Sequence, residues 1–195
     1  LGSFYKRYPG IEVSLNVTNR EMILQRLENN EDDLYILGQP PEHIEVHADY
    51  FMENPLVVLA PYDHPLSGKK NIPLSRLAEE PFLMREPGSG TRLALERFFS
   101  EQGLALKTRM ELGSSAAIKM AVLGGLGIAV LSAHTLALER NSKEISILDV
   151  AGFPIRRQWH AVYPADTRLS VVGSTFLDFL KRESGSEANR YLAGI

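Results

Sequence analysis

Segments of helical period and segments of strand period take turns along this 195-residue chain, and that alternation restricts the fold more than any other feature. Leu1, Phe4, Tyr5 and Tyr8 fall at i, i+3, i+4 and i+7, one face of a helix that Pro9-Gly10 stops. Ile11, Val13, Leu15 and Val17 then alternate with polar residues, the mark of a half-buried strand. Thr18 and Glu21 have the spacing of a capping box ahead of a helix carrying Ile23, Leu24 and Leu27. Further strands are expected at Leu34–Leu37, Leu56–Ala60, Phe82–Arg85, Met110–Leu112, Gly127–Leu131, Ile145–Val150 and Gln158–Tyr163. Between them come helices near Leu74–Ala78, Thr91–Gln102, Ala117–Val122 and Thr135–Glu139. A last helix is capped by Ser170 and carries Val172, Phe176, Phe179 and Leu180, and the polar residues after Glu183 are expected to fray. Strands alternating with helices imply α/β architecture with largely parallel sheets.

Two segments have the form of crossings between subdomains. Leu56–Asp63 ends in Ala60-Pro61-Tyr62-Asp63, and Gln158–Asp166 ends in Val162-Tyr163-Pro164-Ala165-Asp166. Each is an apolar strand running into proline and acid. A chain that leaves one subdomain at the first and returns at the second places 1–62 plus 163–195 in one lobe and 63–162 in the other. Two lobes joined by two extended strands form a hinge with a cleft.

Composition removes several function classes. With 21 basic and 24 acidic residues the formal charge is −3, which argues against a dedicated nucleic-acid surface and against a polybasic membrane-surface protein. The absence of cysteine excludes disulfides, thiolate metal sites and cysteine nucleophiles. No apolar run approaches the roughly 18 residues of a membrane span. The chain opens on Leu1 inside a helical register, so it is expected to be a fragment, and the lack of a targeting segment carries little weight.

Open α/β sheets bind ligands beyond the carboxyl ends of their strands, and three strand-to-helix junctions here offer groups suited to an anion. At Thr18-Asn19-Arg20 a helix start presents free N–H groups and partial positive charge, to which Arg20 adds a bidentate fork. The plainer alternative is that Thr18 only caps and Arg20 is solvated. At Glu86-Pro87-Gly88-Ser89-Gly90-Thr91-Arg92 the glycines admit close backbone approach and Ser89 and Thr91 add hydroxyls. There the alternatives are a tight turn capped by Thr91, with Arg92 paired to an acid and bracing its lobe. At Gly113-Ser114-Ser115 a hydroxyl-bearing helix start suits an anion, or is an ordinary cap. His64, in the first crossing loop, is a hinge residue, a pH-sensitive ligand contact or a surface histidine. The glycine loop lacks the lysine of a phosphate-binding P-loop, Gly125-Leu126-Gly127 precedes a strand rather than a helix, and there is no Gly-x-Ser-x-Gly elbow. The five histidines have no metal spacing, so neither metal, cofactor nor catalytic residues are expected.

The ordered set of segments resembles the effector-binding domain of LysR-type transcriptional regulators. The residues that carry it are Phe4, Tyr8-Pro9-Gly10-Ile11-Glu12-Val13, Asp33-Leu34, Asp63-His64-Pro65-Leu66, Gly88–Arg92 with Phe98-Phe99, Ser114–Lys119, Val122–Ala129, Trp159 and Leu169-Ser170. Asn19-Arg20-Glu21, Gly38–Pro41, Arg85–Arg92, Met110-Glu111, Ser132–Thr135 and Pro154-Ile155-Arg156 are similar to the branch that regulates carbon-fixation (RuBisCO operon) genes.

The resemblance implies a two-lobed, periplasmic-binding-protein-like domain with Rossmann-like lobes and an effector cleft. It also implies a winged helix-turn-helix and linker helix that these residues do not contain, together with the family's first strand and the loop after it. The expected effector is a small anionic metabolite, such as a phosphorylated sugar or acid. The expected contacts are Thr18, Asn19, Arg20, His64, Glu86, Ser89, Gly90, Thr91, Arg92, Ser114 and Ser115. The resemblance further implies a cytoplasmic homodimer or homotetramer that reaches DNA only through the other domain, touches no membrane and is not an enzyme. The helix faces in Glu21–Asn29 and Thr91–Gln102 are candidates for the contact between copies. The rival readings are a transporter's solute-binding protein of the same fold and an enzyme using the same cleft.

Overall fold

The computed structural model describes residues 1–136, 139 and 144–192, with side chains followed to Ser184. In chain order the elements are α1 (Gly2–Arg7), α2 (Arg20–Glu28), β1 (Tyr35–Leu37), β2 (Val46–Glu53), β3 (Leu56–Pro61), α3 (Leu74–Leu77), β4 (Pro81–Arg85) and α4 (Gly90–Glu101). They continue as β5 (Lys107–Leu112), α5 (Ser115–Leu123), β6 (Ile128–Ser132), a 3-10 turn (Ala133–Leu136), β7 (Ile145–Leu148), β8 (Gln158–Pro164) and α6 (Val171–Leu192). The helix expected at Thr135–Glu139 falls partly outside the described residues. The polar tail expected to fray continues α6 as helix to Leu192.

The chain forms two compact units, Leu1–Glu53 with Gln158–Ile195 and Asn54–Arg157. The passages between them therefore lie at Glu53–Asn54 and Arg157–Gln158, several residues before the expected boundaries at 62 and 162. Sheet membership gives the reason. β3 pairs with β6 and β7, so it belongs to unit 2, and β8 pairs with β1 and β2, so it belongs to unit 1. Both strands are apolar enough to be buried in either sheet, and proline marks where each ends rather than where the chain changes body.

Unit 1 is built on a three-stranded antiparallel sheet in the order β1-β8-β2. Leu27 of α2 closes over Tyr35, Leu37 and Val162, with Ile23 and Leu24 packed at the margin. The buried Phe4 ring meets Phe176 and Phe179 edge-on, with centroids 4.9 and 5.2 Å away. β2 is an eight-residue strand that no alternation announced, because a register shift between Tyr50 and Met52 breaks its period.

The strand expected at Ile11–Val17 is not one. The segment pairs with no described strand, and Leu15 and Val17 are 64% and 85% exposed. Alternation fixes which side chains share a face, but a strand also needs backbone hydrogen bonds to a neighbour. A side chain substitutes in part: the Tyr5 hydroxyl donates to the Val13 carbonyl (2.9 Å) and accepts from the Val13 N–H (3.1 Å).

Unit 2 carries a five-stranded mixed sheet in the order β5-β4-β6-β3-β7. β4 runs parallel to both neighbours, while β3 is antiparallel to both of its own. Its core joins Leu56, Val58, Phe82, Met84, Leu95, Phe99, Ile128 and Val130. Gly127 makes the entry to β6 possible: with φ +154 it passes so close to β4 that a Cβ would sit 2.4 Å from the Pro81 carbonyl oxygen.

Candidate functional site

Each unit has one corner where helix starts gather beyond strand ends. In unit 1 this is the start of α2. The cap is Asn19, not Thr18: the Asn19 side chain accepts from the Met22 N–H at 3.0 Å, and Thr18 stands exposed one residue upstream. Either side chain could serve by type; the local backbone turn decides which one does. Arg20, the first residue of α2, is half-buried and donates to the Gln39 carbonyl just beyond β1. Burial pushes its ionisation below the ordinary guanidinium value, but a guanidinium remains a cation at any physiological pH. No carboxylate pairs with it among the described residues. Arg26, one helix end away, is fully matched by Glu31 and Asp32.

In unit 2 the corner lies at the end of β4. Arg85 clasps Glu86 through two hydrogen bonds of 2.8 Å and donates to the Ser115 hydroxyl at 3.2 Å. Ser114 is the cap of α5, accepting from the Ala117 N–H at 3.1 Å, which is the plainer of its two expected roles. Ser89 sits at the start of α4, only 2% exposed, and makes no capping bond with its hydroxyl. Thr91 is half-buried in the first turn of α4 and is not the cap. The Gly90 carbonyl accepts from Arg157 at 2.9 Å.

Two expected contacts serve internal roles. Arg92 bonds Glu96 (2.7 Å), Glu111 (2.6 Å) and the Arg85 carbonyl (3.2 Å), so it braces α4 against β4 and β5. Those carboxylates raise its ionisation further. His64 accepts the Leu66 N–H on Nδ1 (3.2 Å), which leaves its proton on Nε2, 3.5 Å from Glu80. The histidine thus ties its own turn to the residue that leads into β4. On the helices whose faces are expected to meet another copy, Leu27 of α2 and Leu95 and Phe99 of α4 are buried, while Met22 of α2 and Leu93 of α4 are exposed.

Arg85, central to this corner, is not among the contacts expected from the sequence. Its signal was available, since it is a cation ending a buried strand directly before a glycine loop. Among the described residues no cluster of histidine and acid side chains could hold a metal, and no helix is long and apolar enough to cross a membrane.

The family model for the LysR substrate binding domain matches residues 1–185. The chain belongs to that family. As a LysR substrate-binding domain it is 54% identical over 189 residues to a RuBisCO operon transcriptional regulator of Acidithiobacillus ferrooxidans, covering 97% of this chain and 61% of that protein. It is 52% identical to the HTH-type transcriptional activator CmpR of Synechocystis, covering 92% of this chain and 59% of the relative. The chain thus spans about three-fifths of the length of these relatives.

Among solved structures it is similar to the Synechocystis CcmR regulatory domain in complex with 2-PG, with a TM-score of 0.90 and 52% identity over 94% of this chain and 88% of that one. The effector-binding domain of QuiR, at 20% identity and a TM-score of 0.82 over 95% of this chain and 88% of that one, shares the fold. The LysR domain is accordingly the two-lobed α/β effector-binding fold, and the transporter reading is not favoured.

Proposed function

We propose that this domain senses a small anionic metabolite for a transcriptional regulator of carbon-fixation genes, and that the start of α2 is its principal anion contact. The observation that carries the reading is Arg20, a half-buried cation at a helix N-terminus whose bond is to a carbonyl rather than a carboxylate. A desolvated guanidinium beside free N–H groups gains most from an incoming anion, through charge-assisted and bidentate bonds. Asn19, whose side chain caps α2, flanks it. The relatives' names as regulators, and the similar regulatory domain solved with 2-PG, support a sensed effector rather than a transformed substrate.

In this reading the DNA contact lies in the part of the regulator outside these residues. The assembly is a homodimer or homotetramer working in the cytoplasm. Effector binding biases the protein only by its difference in affinity for two conformations.

The test is calorimetric titration with 2-PG. The wild-type domain binds, and Arg20→Ala weakens binding at least tenfold, the scale of a lost hydrogen bond to a charged group. Equal affinity in the two proteins would overturn the assignment of Arg20.

A further inference from the structure

Unit 1 holds a further polar group, in β8, that its fold leaves unused among the described residues. His160 lies in β8 between Leu37 of β1 and Tyr50 of β2. Its Nδ1 is buried and has no hydrogen-bond partner among the described residues. A buried ring nitrogen without a partner is destabilising, and native structures keep few such groups.

The register shows where it sits. Side chains alternate across a strand, so His160 shares a face with Val162, two residues on. Val162 and Leu37 pack against Leu27 of α2, so this is the face that α2 covers. α2 runs opposite to β1. The hydroxyl of Tyr35, at the start of β1, donates to the carbonyl of Arg26 near the end of α2, while Arg20 at the start of α2 reaches Gln39 beyond the end of β1. His160 is opposite Leu37, the last residue of β1. It therefore lies towards the first turn of α2, the end that carries Arg20. The Tyr50 ring flanks it at 6.3 Å, edge-on.

We propose that His160 is an effector-binding residue, its Nδ1–H donating to an oxygen of the same anion that Arg20 receives. The proposal rests on the assignment of Arg20 and deepens it by naming a neutral donor beside the cation. It also specifies the ligand: a phosphoryl or carboxylate group with an oxygen to spare after the guanidinium is satisfied. The imidazole need not change its protonation, since the tautomer carrying hydrogen on Nδ1 already supplies the donor.

The experiment compares wild type, Arg20→Ala, His160→Phe and His160→Gln by thermal melting without ligand and by calorimetry with 2-PG and with inorganic phosphate. His160→Phe replaces an unpartnered nitrogen by carbon, so its melting temperature without ligand holds or rises while its Kd for 2-PG increases about tenfold or more. His160→Gln, which keeps a side-chain N–H, recovers part of the affinity and serves if the phenylalanine variant fails to fold. In the 15N spectrum of the wild type, the resonance that His160→Gln removes shifts on adding 2-PG. Weakened binding in Arg20→Ala with unchanged binding in both His160 variants overturns this inference alone. Unchanged binding in Arg20→Ala overturns the assignment beneath it, and a wild type that binds neither anion removes both.

Discussion

The two arginines at the β4 corner of unit 2 are neutralised from within, and the helix-start arginine of unit 1 has no carboxylate partner among the described residues. At the end of β4, Arg85 is clasped by Glu86, and Arg92 is held between Glu96 and Glu111. At the start of α2, Arg20 has a carbonyl for a partner. The sheets differ in the same sense. Unit 2 has five strands and a wide apolar core, whereas unit 1 has three strands and a small cluster under α2. A corner whose charges are already matched offers an anion little, because binding must first break an ion pair. A corner with an unmatched charge is poised for an external partner. Similar residue types at similar junctions thus become a brace in one unit and a candidate receptor in the other, according to which acids the fold brings near.

The contrast can be broken hardest at Gly127. Gly127→Ala places a methyl group 2.4 Å from the Pro81 carbonyl oxygen, between β4 and β6. It should cost about 3 kcal/mol or more in urea unfolding, and hydrogen exchange should accelerate in unit 2 before unit 1. Wild-type stability in this variant would mean that unit 2 is less tightly determined than its sheet implies.

Arg92→Ala sharpens the contrast. It removes a brace, so it should lower stability by about 1 kcal/mol once solvent screening is allowed for. Its affinity for 2-PG should change by less than about twofold, unlike that of Arg20→Ala. A large loss of affinity with unchanged stability would return Arg92 to the effector site.

The smallest effect concerns Asp32 in unit 1. Hydrogen bonds from Arg26 hold its carboxyl below the usual carboxylate range, helped by Asn16 and opposed by burial. A folded value below the unfolded one, near about 3.9, means that the stabilisation is complete above that pH and is lost as pH falls through the depressed value. Asp32→Asn should therefore flatten the acid limb of stability below about pH 4 and shift the acid midpoint by roughly a few tenths of a pH unit. An unchanged acid limb would show that the pair with Arg26 contributes nothing in solution.

Much of the fold was legible because each element advertises itself locally. The apolar runs that became β3, β4 and β6 are long enough to be buried whichever strand lies beside them. Ser170 and Ser114 cap their helices as their side chains permit. Legibility failed where a partner had to be known. Ile11–Val17 has the period of a strand but pairs with no described strand, and β2 is paired but has a broken period. The candidate site was legible as junctions and not as roles. The sequence places Arg20, Arg92 and His64 beside helix starts or turns, but not the distant Glu111 that occupies Arg92 or the Glu80 that faces His64.

The residues taken alone determined the alternation of helix and strand and the absence of thiol chemistry. Those depend on period, composition and order, which are properties of neighbours in sequence. Only the tertiary structure decided which strands share a sheet, and hence where one unit ends. It also decided which arginines find a carboxylate and that the His160 Nδ1 is left without a partner among the described residues. Those depend on groups distant in the chain meeting within a hydrogen bond's length, a condition that no local pattern carries.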